Sequence, residues 1–191
     1  MARVFKSISG AAPYRVYQRS EKNAANIDVS VELFPGVSGL VEARLVNAAG
    51  PLQGCDWRKL KVAGPLFTGA FEDVPAGGPY AMELRVRNGN EVIASRRIPG
   101  ILVGDLWVMA GQSNMDGSAR LDFLEPPSGY VHCFYHEDKW GIAKDPLCIV
   151  DASIDPVHWS VADTKERALA VANRRRSRAR WLQVILDASW C

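Results

Sequence analysis

The stretch Tyr80-Ala81-Met82-Glu83-Leu84-Arg85-Val86-Arg87, followed by Asn88-Gly89-Asn90, decides how the first half of this chain folds. Tyr80, Met82, Leu84 and Val86 fall on one side of an extended backbone, and Glu83, Arg85 and Arg87 fall on the other. That period of two marks a strand with one buried face. Asn and Gly accept the positive φ of a tight turn, so Asn88-Gly89-Asn90 predicts a hairpin. The returning strand is Glu91 to Ile98, ending at Pro99-Gly100.

The same alternation recurs toward the N-terminus. Ile27, Val29, Val31 and Leu33 interleave with Asp28, Ser30 and Glu32, and Pro35-Gly36 ends the run. Val41, Ala43 and Leu45 then alternate with Glu42, Arg44 and Val46, up to the breaker Asn47 to Gly50. Trp57 to Val62 reads as one further run, and Pro75 to Pro79 is rich in turn residues. Short alternating strands between turn clusters predict an antiparallel β-sandwich of Ig-like size over residues 13–100, preceded by an extension over 1–12.

Past Gly100 the pattern changes. Ile101 to Ala110 is nearly continuous apolar sequence broken by Asp105, as in a parallel strand covered on both faces. A second, α/β domain over 101–191 is therefore expected. Ala, Glu, Leu, Lys and Arg dominate from Ala162 to Ala179 and favour a helix, with Ala168, Val171 and Ala172 as a weak apolar stripe.

The totals constrain the class of function. The chain has 191 residues, 48% hydrophobic and 23% charged, enough for a packed core. A net charge of +2 gives no general attraction to nucleic acid, and the basic cluster of Arg174, Arg175, Arg176, Arg178 and Arg180 is local. Cys55, Cys133, Cys148 and Cys191 form no close pair, and no His/Cys spacing suggests zinc. The first twenty residues carry Arg3, Lys6, Arg15 and Arg19 without an apolar core, unlike a secretion signal. No apolar run approaches the roughly 18–20 residues that span a bilayer. The expectation is a cytoplasmic protein with free thiols and no membrane or nucleic-acid partner.

Directly after the apolar run stands Gly111-Gln112-Ser113-Asn114-Met115. Side chains at the carboxyl edge of a parallel sheet face the crevice where ligands bind. Gly111 permits a sharp turn, which exposes the Ser113 hydroxyl and frees nearby N–H groups to hold an oxyanion. The same residues also suit a plain turn or a helix N-cap.

The longer string Gly104-Asp105-Leu106-Trp107, then Ala110-Gly111-Gln112-Ser113-Asn114-Met115, closely resembles the nucleophile block of the sialate O-acetylesterase-like family of SGNH hydrolases. The β-rich region before it is similar to the N-terminal domain of some members. Trp140 to Leu147 resembles the loop after the family's first helical stretch. The resemblance implies a flavodoxin-like α/β/α domain with a Ser–His–Asp site that removes acetyl groups from sugars. It makes Ser113 the catalytic nucleophile and its N–H an oxyanion donor. Gly111, Gln112 and Asn114 would shape the substrate and oxyanion loop. An acetylated carbohydrate is the implied substrate, with no metal or organic cofactor.

The chain departs from that pattern after the nucleophile. The family's base lies in a late Asp-x-x-His block. Asp155-Pro156-Val157-His158 has that spacing but follows Ser113 by only 45 residues, in a region resembling a middle loop. His132 and His136, beside Tyr130, Phe134 and Tyr135, read as residues of a strand. The resemblance fades after Ala162. The expectation is the front part of an esterase cut short by a frameshift or stop, with its activity left open because the His/Asp block is not recognisable. The arginine cluster would then be an out-of-frame tail, next a solvated basic helix, and third a nucleic-acid contact. The alternative function is a β-sandwich binding or interaction module attached to a degenerate hydrolase remnant.

Overall fold

The computed structural model describes residues 4–111, 125–149, 152–159 and 163–174. The chain divides into two compact units, Met1–Leu106 and Trp107–Cys191.

The first unit is built from ten strands in two sheets. One sheet has the order β1 (Phe5–Ser9), β3 (Ala24–Leu33), β8 (Leu66–Pro75), β7 (Lys61–Ala63). The other runs β2 (Val16–Gln18), β10 (Glu91–Gly104), β9 (Gly77–Asn88), β4 (Leu40–Asn47), β5 (Gly50–Pro51), with β6 (Arg58–Lys59) also on β4. Ile27, Val29 and Val31 of β3 and Phe71 of β8 share one buried cluster with Val41, Ala43 and Leu45 of β4 and Met82, Leu84 and Val86 of β9. Two sheets thus bury their apolar faces against each other, which makes the unit a β-sandwich. Each fully buried side chain of this size contributes about 1.5–3 kcal/mol.

The register on the outer face of the larger sheet is set by charge. Glu42 lies directly across from Arg85, and Arg44 across from Glu83, which faces Arg97 on the next strand. Opposite charges on facing strands stabilise that register over a slipped one. The Arg85 Nε donates to Glu42 at 2.7 Å, and Arg44 Nε donates to Glu83 at 2.8 Å. Arg97 also donates to Glu83. Trp57 lies beside this ladder, with the Arg85 guanidinium 4.0 Å and the Arg44 guanidinium 4.5 Å from its ring centre.

Three expectations are corrected here. Trp57 to Val62 is not one strand. β6 pairs with β4 in one sheet and β7 with β8 in the other, so the chain crosses between sheets at the buried Leu60. Nor does Pro99-Gly100 end a strand. β10 continues to Gly104, and the register steps from Ile98↔Met82 to Ile101↔Tyr80, so Pro99 and Gly100 together oppose Ala81. This is a bulge, where a missing N–H does no harm. Gly100 has φ +74°, and a Cβ there would lie 2.5 Å from the Tyr14 ring. The third correction concerns Ile101 to Ala110. Ile101, Leu102 and Val103 are buried and Leu102 to Gly104 pair in parallel with β2, but they do so inside the sandwich. From 105 to 111 the backbone has no regular structure, and Trp107 and Val108 are 86% and 93% exposed. The sequence also gives no periodic signal for β1 and β2, and β1 lies within the stretch expected to be an extension.

In the second unit the described residues include a hairpin, β11 (His132–Tyr135) with β12 (Lys139–Ile142), a 3-10 turn at Pro156–His158, and a helix over 165–174. Thr164 begins the helix, its Oγ1 accepting from the Arg167 N–H. The expected stripe is real: Ala168 and Ala172 are fully buried and Val171 is half-buried. Ala172 packs with Ile149 and Ala152. Among the described residues this unit shows no parallel sheet.

Candidate functional site

The Gly104-Asp105-Leu106-Trp107 motif begins where β10 leaves the sandwich, and that exit is held by a cluster of polar bonds. The Arg19 N–H donates to the Gly104 carbonyl at 2.8 Å. Its guanidinium forks onto both oxygens of Asp105, Nε to Oδ1 and Nη2 to Oδ2, each at 2.9 Å. The third nitrogen, Nη1, donates to Asn23. The Leu106 N–H donates to Gln18 Oε1 at 2.7 Å. A bidentate fork is the geometry in which Arg holds a carboxylate best.

The Arg19 hydrogen bond holds the Asp105 carboxyl below the usual carboxylate range, and the Gln18 side chain adds to it. Both side chains are about two-fifths exposed, so water screens the pair. Asp105 therefore anchors the chain, with its carboxylate already engaged. Sequence alone could not find Arg19, because it lies 86 residues before its partner and belongs to no periodic run.

Of the loop residues, Gly111 is exposed and in irregular structure. Gln112, Ser113 and Asn114 lie outside the described residues. The histidines belong to the second unit. His132 sits in β11, with Nε2 3.2 Å from the Gly129 carbonyl. His136 follows β11 in the turn, its Nε2 3.3 Å from Cys148 Sγ. Its ring centre is 6.1 Å from that of His158. His158 closes the 3-10 turn, and Asp155 caps that turn by accepting the Val157 N–H through Oδ1 at 3.1 Å. The Asp155-x-x-His158 spacing thus builds a local cap, which is a complete structural use of the aspartate.

A groove of about 350 Å³ lies on the larger sheet, lined by Trp57, Glu83, Arg85, Val92, Arg96 and Arg97 among others. Arg85 and Arg97 belong to the charge ladder, so an occupant would meet their paired charges, and Arg96, beside an indole. Among the described residues no group of three His, Cys, Asp or Glu side chains could hold a metal ion. No helix among them is long and apolar enough to cross a membrane. No family model matches this sequence, and neither does any curated protein.

Proposed function

We propose that the chain is a serine esterase of the sialate O-acetylesterase-like kind, hydrolysing acetyl esters on sugars with Ser113 as the nucleophile. The observation that carries this is the string Gly104-Asp105-Leu106-Trp107 and Gly111-Gln112-Ser113-Asn114-Met115 at one fixed offset. The Arg19 fork supports it by giving the motif's aspartate a use: it fixes the point from which the block starts. The family's α/β/α arrangement for the second unit, and an Ig-like assignment for the first, belong to the same reading.

Ser113 Oγ attacks the acetyl carbonyl while a base takes its proton, and the oxyanion is held by the Ser113 N–H. The base returns that proton to the sugar oxygen, which leaves as the hydroxyl, and water then attacks the acetyl-enzyme to release acetate and restore Ser113. Gly111, Gln112 and Asn114 shape the loop around the substrate. Neither a metal nor an organic cofactor enters this scheme.

The second reading is a β-sandwich binding module, and the groove beside Trp57 is what favours it. One experiment separates the two. Turnover of p-nitrophenyl acetate and of an acetylated sugar is compared between the full chain and Ser113→Ala. Loss of about 10³-fold or more in the variant is expected for the esterase. Equal turnover in both proteins removes Ser113 from the mechanism. No turnover in either leaves the binding module as the function.

A further inference from the structure

The described cysteines are not equivalent. Cys55 is buried, and burial pushes its thiol up, with Arg58 opposing that only in part. Burial likewise pushes up the Cys133 thiol, whose Sγ donates to the Phe134 carbonyl at 3.6 Å. Both environments favour the neutral thiol. Cys148 is half-buried and has the Nε2 of His136 at 3.3 Å, within the range of an S–H···N hydrogen bond.

The pair is held by backbone. His136 sits in the turn between β11 and β12, and its carbonyl accepts from the Ile154 N–H at 3.1 Å. That bond joins the turn to the segment carrying His158, whose ring stands 6.1 Å from that of His136. His136 and His158 are both exposed, and Cys148 is half-buried.

We infer that Cys148 and His136 form a reactive-thiol site for soft carbon electrophiles and hydroperoxides. The Cys148 proton passes to His136 Nε2, and the thiolate is the nucleophile. With an alkyl halide the C–S bond forms as the carbon–halogen bond breaks, halide leaves, and the His136 proton is released to water. With a hydroperoxide, sulfur attacks the terminal oxygen and the O–O bond breaks. Sulfur is oxidised to the sulfenic acid, and the peroxide's other oxygen leaves as hydroxide or alkoxide. The proton held on His136 returns to that oxygen, giving water or an alcohol. This site is independent of Ser113 and of the esterase reading.

The test is the rate of iodoacetamide alkylation at about pH 6, followed for each cysteine peptide by mass spectrometry. The full chain is compared folded and denatured in guanidinium. Burial alone can only slow a folded thiol, so a ratio above one reports activation. Near pH 6 an ordinary thiol is almost wholly protonated, and the gain in thiolate exceeds the loss of intrinsic nucleophilicity. Cys148 is expected to react about fivefold faster folded than denatured. Cys55 and Cys133 are expected to react more slowly folded. His136→Gln should bring the Cys148 ratio to one or below, and His158→Gln should change it less. A Cys148 ratio at or below one in the native chain overturns the inference, as does an unchanged ratio in His136→Gln.

Discussion

The two units show what a regular apolar pattern achieves and what its absence leaves. In the sandwich, alternation on β3, β4 and β9 places Ile27, Val41 and Met82 on inner faces, and one cluster runs from Ala11 to Val103. In the second unit the described buried cluster is Ile149, Ala152 and Ala172, two of which offer a single methyl group. Side chains that long strands line up on one face bury each other cooperatively, and the described hairpin and helix of the second unit line up fewer. Among the described residues, the amides of β3, β4 and β9 should therefore exchange last, and those of the hairpin and of the 165–174 helix should open at lower cost.

Core truncation is the strongest way to break that contrast. Phe71 is the largest fully buried side chain among the described residues. Phe71→Ala is expected to lower the stability of the sandwich by about 3–5 kcal/mol. Ile149→Ala in the small cluster should cost about 2 kcal/mol, at the low end for its type, because its neighbours are small. Segment-resolved hydrogen exchange during guanidinium titration reads both. Equal effects in the two units would mean that the second has a larger core than these three residues.

The sandwich was legible where side chains decide and illegible where geometry does. The hairpin at Asn88-Gly89-Asn90 and the strands β3 and β4 follow from alternation and turn chemistry alone. Pro99-Gly100 carries the same letters as a terminator, and only the pairing with Ala81 and the space under Tyr14 reveal a bulge. Ile101 to Val103 read correctly as covered on both faces and paired in parallel, yet the partner is β2, three residues long and without periodicity. At the candidate site, the motif string was visible but its anchor was not. The same holds for the Cys148–His136 contact, which spans 12 residues and depends on how the hairpin turn folds.

A middle-sized effect tests the edge of the second unit's helix. Thr164 Oγ1 accepts the Arg167 N–H at 3.3 Å, one of the four donors that a helix start leaves unpaired. Thr164→Ala is expected to destabilise the 165–174 segment by about 1 kcal/mol, and Thr164→Ser to restore it. Amide exchange over that segment is the measurement, with β3 and β9 as internal standards. A change that spread to the sandwich strands would contradict their independence from this cap.

The smallest effect is the most informative about the Gly104-Asp105-Leu106-Trp107 motif, because it separates an anchoring carboxylate from a reacting one. The folded Asp105 carboxyl lies below its ordinary range owing to Arg19. Its contribution is therefore present above the unfolded aspartate pKa and is lost as pH falls through the lower folded value. At neutral pH, Asp105→Asn should speed exchange of the Leu106 N–H, which bonds to the neighbouring Gln18 side chain. Acidifying the unaltered chain below the carboxylate range should bring its exchange, corrected for intrinsic rate, to that of Asp105→Asn. Arg19→Lys keeps the charge but loses the two-pronged fork, so it should fall between them. If Asp105→Asn exchanges like the unaltered chain at neutral pH, the fork does not hold the exit from β10. The aspartate of the Gly104-Asp105-Leu106-Trp107 motif would then need a chemical role instead of a structural one.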